Sequence, residues 1–329
     1  MKSKNICTDY FSNTDQDLVD SLNESDDFDT VNIFCAQEFE VFYKWKGRES
    51  YKLLEKLIRN GVTVNILFNG FNTEKHKSYV DVPPGTILHY WPEYLLYHSF
   101  IIAKESPFPK PKKIKKIFLS YNRAPHNHRC LLMDLLAKRN LLKEGKCSWL
   151  HPHPNYEFKY WKQEKLTLDI KRPKDRAFQW LGRPIELSNT FVQLVPETSI
   201  EIQSLTEKTY LQILFKRPFL IFGASGIHRK LSELGFEMYD EIFDYSFDEI
   251  EDLEERGEKL LDNLENLKGK NLNKLRKKLL PKIERNFNNA MKIINSWNNV
   301  PEILKNYYNT NETVRIYEHV FKHLNGVQK

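Results

Sequence analysis

Residues 191–226 (FVQLVPETSIEIQSLTEKTYLQILFKRPFLIFGASG) concentrate polar side chains where one apolar run stops and another element begins. Glu197, Thr198 and Ser199 follow a run with strand character, Thr206, Glu207 and Lys208 open a run with helical spacing, and Gly223 follows an apolar run at 218–222. In open α/β sheets, ligands bind beyond the carboxyl ends of strands, where loops and helix N-termini meet. A helix N-terminus offers unpaired N–H groups and a partial positive charge, so residues 204–208 suit a phosphate. Lys208 would bring a full charge to a diphosphate, and Glu207 would accept hydrogen bonds from ribose hydroxyls. The same residues equally fit a plain helix cap with an acidic first turn and a surface lysine.

Other patterns are weaker. The turn at 222–226 (FGASG), with Asp244 downstream, suggests a dinucleotide site but lacks the Gly-x-Gly-x-x-Gly spacing. His151 and His153 form a lone His-x-His in a proline-rich loop, a poor metal pattern, and no metal site is expected. Cys7, Cys35, Cys130 and Cys147 are scattered without a Cys-x-x-Cys pair, so they read as ordinary thiols, neither a zinc site nor a disulfide framework.

The elements that must hold these residues alternate between strand and helix. In the first half, 30–34, 62–68 and 86–91 read as strands and 50–59 as a helix stopped at Asn60-Gly61. Three prolines and five lysines at 106–116 read as an exposed connection. Strand, polar loop and amphipathic helix follow at 117–121, 122–127 and 128–140. Strand, helix and strand then recur at 191–195, 206–214 and 218–222, with a helix near 227–234. Beyond Phe247, Leu272, Leu275, Leu279, Ile283, Phe287, Met291 and Ile294 recur at spacings of three and four, a helical tail kinked or split at Pro281. The expected class is α/β, with an N-terminal α/β domain at 1–110, a second at 111–250 and a helical extension at 251–329.

A Glu-Thr-Ser after a strand, then Thr-Glu-Lys opening a helix, then an apolar strand ending in glycine, resembles the donor half of GT-B glycosyltransferases, and in particular the alpha-1,3-fucosyltransferase family. The strand at 218–223 (PFLIFG) and the segment 231–236 (LSELGF) are similar to those of putative glycosyltransferases of large viruses and bacteriophages. The likeness is best over about 117–250, with a departure at Thr198, where the fucosyltransferases carry asparagine.

The resemblance implies two Rossmann-type domains facing a cleft, with the second holding a nucleotide-sugar as co-substrate and no further cofactor. It implies that Glu207 meets the ribose, that Lys208 and Arg123 meet the diphosphate, and that Glu197, Thr206 and Gly223 line the donor site. A guanidinium suits that task because its fixed fork meets two phosphate oxygens and stays protonated. His126 and Arg129 are lesser candidates, Arg129 reading as a helix-surface charge. The base would come from the N-terminal domain: Glu38 first, then Glu40, with Glu93 and His98 as rivals. The implied activity is inverting, metal-independent hexosyl or pentosyl transfer to a hydroxyl. The acceptor is a glycan or, alternatively, hydroxymethylpyrimidine in viral DNA. A non-catalytic module binding nucleotide or nucleic acid is the alternative of a different class.

Composition sets the frame. The 329 residues are 40% hydrophobic and 29% charged, which excludes a disordered or collagenous chain. Fifty basic against 44 acidic residues leave a net charge of +6, with residues 237–255 acidic and 110–116 and 268–285 basic. The basic runs suit a phosphate backbone or a solvated face. No apolar run predicts a signal peptide or membrane span, so a cytoplasmic chain is expected, in the host cytoplasm if viral.

Overall fold

The computed structural model describes residues 2–8, 15–23, 28–35, 45–74, 77, 80–105, 113–122, 124–150, 153, 155–164, 166, 168, 184–296, 298 and 300–308. The chain forms two compact units. Met1–Ile101, Ile202–Thr206 and Lys292–Lys329 make the first; Ile102–Glu201 and Glu207–Met291 make the second. Residues past 250 are thus divided between the two. Each unit carries a four-stranded sheet with every neighbouring pair parallel, in keeping with the expected tandem of α/β layers.

In the first unit, β1 (Ser3–Thr8), β2 (Thr30–Cys35), β3 (Thr63–Phe68) and β4 (Ile87–Tyr90) lie in sequential order. On one face Val31, Ile33, Val64, Ile66 and Phe68 form a core with Leu18 and Leu22 of α1 (Asp15–Asn23) and Tyr51 and Leu54 of α2 (Glu49–Arg59). On the other face Phe34 and Leu67 pack with Trp91, with Tyr97 of α3 (Tyr94–Glu105), and with Ile303 and Leu304 of the helix Glu302–Tyr308.

An asparagine ladder crosses that second face. Asn5, Asn32 and Asn65 stand in register. Asn32 Nδ2 donates to Asn5 Oδ1 at 2.8 Å, and Asn65 Nδ2 donates to Asn32 Oδ1 at 3.0 Å. His89 Nε2 meets Asn65 Oδ1 at 3.0 Å and must donate, because an amide oxygen only accepts. Burial holds the His89 ring below its ordinary pKa, which favours the neutral form. A one-residue slip would break every rung and turn the asparagines into the core, so the ladder fixes the register.

In the second unit the order is β6 (Gly145–Cys147), β5 (Lys116–Ser120), β7 (Thr190–Pro196) and β8 (Phe219–Phe222). All seven residues of β7 are buried, as in a central strand covered on both faces. Helix α4 (Asn127–Lys138), expected to be amphipathic, buries His128, Arg129, Cys130, Leu132, Met133, Asp134, Leu135 and Leu136. Its solvent side is taken by another helix. Arg139, just past its end, donates to Asp262 at 2.6 Å and also binds Glu258 and Glu265 of that helix. The remaining helices are α5 (Pro184–Asn189), α6 (Glu207–Leu214), α7 (Ile227–Glu233), α8 (Leu253–Glu265, the partner of Arg139) and α9 (Leu272–Ile294). Helix α9 runs without interruption through Pro281, so the expected split is absent. Pro281 sits on the exposed side, where solvent can take over the carbonyl that loses its N–H partner. Among the described residues no helix is long and apolar enough to cross a membrane.

The ladder generates a test. Asn32→Ala strands a donor on Asn65 and an acceptor on Asn5, so stability should fall by about 1–3 kcal/mol. Urea unfolding should show a lower midpoint at unchanged slope; an unaltered midpoint would make the ladder incidental.

Candidate functional site

The strand order of the second sheet sets where a ligand fits. The chain leaves β5 toward β6 on one side and leaves β7 toward β8 on the other, so the loops after these adjacent strands diverge. Such a switch point opens a crevice at the carboxyl ends of the strands. Residues 121–122, 124–126 and 197–200 flank it.

The loop after β5 is braced by its neighbour. Ser148 N donates to Ser120 O, Asn122 N to Ser148 Oγ, and Leu150 N to Asn122 O. These bonds carry the β5–β6 pairing past the strand ends and fix the backbone on the approach to Arg123. Arg123 itself lies outside the described residues, as do Glu38, Glu40 and His151; so does the His98 side chain.

Glu197 is the best-enclosed member of the expected set, with 0% exposure. Its Oε1 accepts from Thr209 Oγ1 of α6 at 2.6 Å and its Oε2 from Thr198 N at 3.2 Å. Its backbone oxygen accepts from His128 Nε2 at 2.7 Å and from Arg129 Nη2 at 3.3 Å. A carboxyl so enclosed holds loop and helix together; its atoms face the protein. Gly223 fits the same packing, since a Cβ there would lie 3.2 Å from Glu197 Cβ.

Lys208 stands at the mouth, its side chain 31% exposed. Its Nζ donates to Thr198 Oγ1 at 2.8 Å and to Glu207 Oε1 at 3.0 Å. Helix α6 starts at Glu207 and is buried along most of its length. Thr206 is buried and closes the segment Ile202–Thr206, which belongs with the first unit, where Phe71 N donates to Gln203 O and Asn69 Nδ2 to Leu205 O. Glu93, also in the first unit, precedes α3; burial outweighs its own backbone N–H and raises its carboxyl above the ordinary range.

Arg129 is 3% exposed and binds the Ala124 and Glu197 carbonyls, so the expected surface charge is a buried brace. Two neighbouring histidine rings, His126 and His128, stack with centroids 5.7 Å apart. Burial pushes His126 down to about 4, helped by the charges of Arg129, Lys208 and His153. Burial pushes His128 down to about 3, with Arg129 assisting and its bond to Glu197 opposing. Both rings are therefore neutral near pH 7 in a region whose fixed charges include Arg129 and Lys208, which is chemistry suited to an oxyanion.

The rival dinucleotide turn is closed to phosphate. Gly226 takes φ +71 and leads into α7, whose first amides are already capped. Asp248 accepts from His228 N at 3.0 Å, from Arg229 N at 3.1 Å and from His228 Nδ1 at 2.7 Å. The place a pyrophosphate would take holds a carboxylate. His228 Nε2 accepts from Ile221 N, so this buried Asp–His pair is satisfied inside the fold. Asp244 caps Ser246 instead of reaching any ribose position.

Cys130 and Cys147 are buried free thiols, Cys130 raised by burial to about 11. Among the described residues no three His, Cys, Asp or Glu side chains are grouped to hold a metal ion. No family model, curated protein or solved structure matches the chain. Sequence reasoning passes over Thr209, His128 and Asp248, whose roles arise from partners 12, 69 and 20 residues away. The His-x-His at 126–128 is the one local signal.

His128 supplies a pH test. Its folded pKa of about 3 lies below the unfolded value of about 6.5, so below pH ~6.5 the unfolded chain takes up a proton that the native chain refuses. Stability is full above that pH and falls as pH drops toward 3, by at most about 1.4 kcal/mol per pH unit from this residue. His128→Gln keeps a donor for Glu197 O and removes the titration, so unfolding free energy should depend less steeply on pH between about 6.5 and 4. An unchanged slope would mean that His128 takes up its proton in the native state.

Proposed function

We propose that the chain is an inverting, metal-independent glycosyltransferase that moves a sugar from a nucleotide diphosphate to a hydroxyl of a glycan. The observation that carries this reading is the convergence of Lys208, Thr198 and the neutral His126 at the β5–β7 switch point, with Arg129 and Glu197 buried behind them.

In this reading the bond between the anomeric carbon and the diphosphate oxygen breaks, and the electron pair leaves with the diphosphate. Lys208 and Arg123 would stabilise that charge, and Glu207 would accept from the ribose. Each cation meets phosphate through charge-assisted hydrogen bonds, which are the stronger kind. The acceptor hydroxyl attacks the opposite face of the sugar and gives its proton to a carboxylate, Glu38 or Glu93. The raised carboxyl of Glu93 favours it as a base, because basicity rises with pKa. Glu197 and Gly223 act as positioning residues beneath the site.

The pairing of Lys208 with Glu207 and Thr198 also suits a module that holds a nucleotide without turning it over. Turnover separates the two. Incubation with UDP-, GDP- and ADP-sugars should raise the melting temperature with one donor and release its nucleotide. Lys208→Ala and Arg123→Ala should each weaken nucleotide-diphosphate binding by about 10- to 100-fold, the loss of one charged hydrogen bond. A melting shift without nucleotide release would favour the module. No shift with any donor, or both variants binding like wild type, would overturn the site.

A further inference from the structure

The second unit carries a basic face at the end of its sheet opposite the candidate site. Two segments build it. Residues 113–116 lead into β5, and the first turns of α9 pass beside them: Ile114 N donates to Asn273 Oδ1 at 3.2 Å, and Lys115 N to Asn189 O at 2.8 Å. The backbone thus brings together two basic runs that are far apart in the chain, as the 159-residue separation of Ile114 and Asn273 records.

Among the described residues the charges on this face are uncompensated. No Asp or Glu occurs from Asn266 to Ile283. Lys113, Lys115, Lys270, Lys274, Lys277 and Lys278 are exposed and make no ion pair among the described residues. Lys274, Lys277 and Lys278 fall within about 6 Å of helix rise. Beneath them, Arg276 is half-buried and lowered by burial alone, without a carboxylate to oppose it. Arg217 lies deeper, 2% exposed; its Nη2 donates to Thr190 Oγ1 at 2.7 Å, and its Nε and Nη1 have no hydrogen-bond partner among the described residues. Elsewhere in the unit basic side chains do find acids: Arg139 with Asp262, Lys282 with Asp240 and Glu241, Arg285 with Glu237.

We propose that this face binds nucleic acid through its phosphate backbone, as a second surface distinct from the sugar-donor site. Crowded like charges raise the free energy of the isolated protein, and a polyanion relieves that repulsion while its condensed counterions are released. An anionic membrane fits less well. Stable attachment there needs an apolar anchor beside the charges, and Leu280, 42% exposed, is the single large exposed hydrophobic residue that α9 offers among the described residues.

The experiment uses the full chain, labelled single-stranded and duplex oligonucleotides, and vesicles of phosphatidylcholine with phosphatidylserine. Anisotropy should report binding at ~50 mM salt whose log affinity falls linearly with log salt, with a slope of about −4 to −6, as expected for about five or six phosphate contacts. The double variant Lys277→Glu, Lys278→Glu should keep its melting temperature, lose at least about tenfold in affinity and show a slope shallower by about 2. Absence of oligonucleotide binding, an unchanged affinity in the double variant, or binding to the vesicles alone would each overturn the proposal. The donor-induced melting shift, recorded in parallel, belongs to the separate switch-point reading and is expected to persist in the double variant.

Discussion

The enclosure of Glu197 is the constraint on which the second unit is built. A carboxyl removed from water costs several kcal/mol unless its oxygens are met by donors, so whatever surrounds it must stay in place. Here one oxygen is met by Thr209 from α6 and the other by the amide of Thr198, while the carbonyl of the same residue anchors His128 and Arg129 from α4. Its amide donates to Phe222 O at the end of β8. One residue thus ties the ends of two strands to two helices, and the absence of a side chain at Gly223 lets the ends close up.

From that knot follows the electrostatic character of the crevice. Arg129 donates to two carbonyl oxygens, and those bonds hold its positive charge in the buried layer. Burial keeps both neighbouring histidines unprotonated, and the charges of Arg129 and Lys208 assist it. By contrast, the N-terminus of α7 carries its own carboxylate, Asp248, held below its ordinary value although burial pushes the other way, because His228 and the amides of His228 and Arg229 outweigh it. Two strand-to-helix turns in one sheet therefore have opposite capacities for an anion: the α7 turn is already filled by protein.

Sequence reading recovers what local patterning encodes. The strands at β2, β3, β5, β7 and β8 are short apolar runs between turn residues, and the glycine and asparagine stops around them are visible. Strand β1 is hidden because its Lys4 and Asn5 read as polar N-terminal chain; Asn5 is held in the sheet by a rung to Asn32, 27 residues away. Helix α3 is hidden for the opposite reason: YLLYHSFIIAKE is apolar on nearly every side and shows no period. Arg129 reads as surface because arginines usually are, whereas in the fold it donates to the backbone carbonyls of Ala124 and Glu197, the latter 68 residues away. Lys208 and Glu207 are legible as a pair because they open a helix, but the buried hydroxyl of Thr209 that anchors Glu197 leaves no local trace.

The two ends of the second sheet can act independently. Strand β5 spans Lys116 to Ser120, about 13 Å at the usual rise per residue, and this separates the basic face from the switch point. The Debye length at physiological salt is about 8 Å, so charge neutralised near Lys277 is screened before it reaches Lys208 through solvent. What passes through the protein itself is weakened as well, because Lys208 already has Glu207 and Thr198 within hydrogen-bond distance. The protonation of His126 is therefore governed by its burial, by the charges of Arg129, Lys208 and His153 around it, and by any anion bound among them, whatever occupies the far end of the sheet.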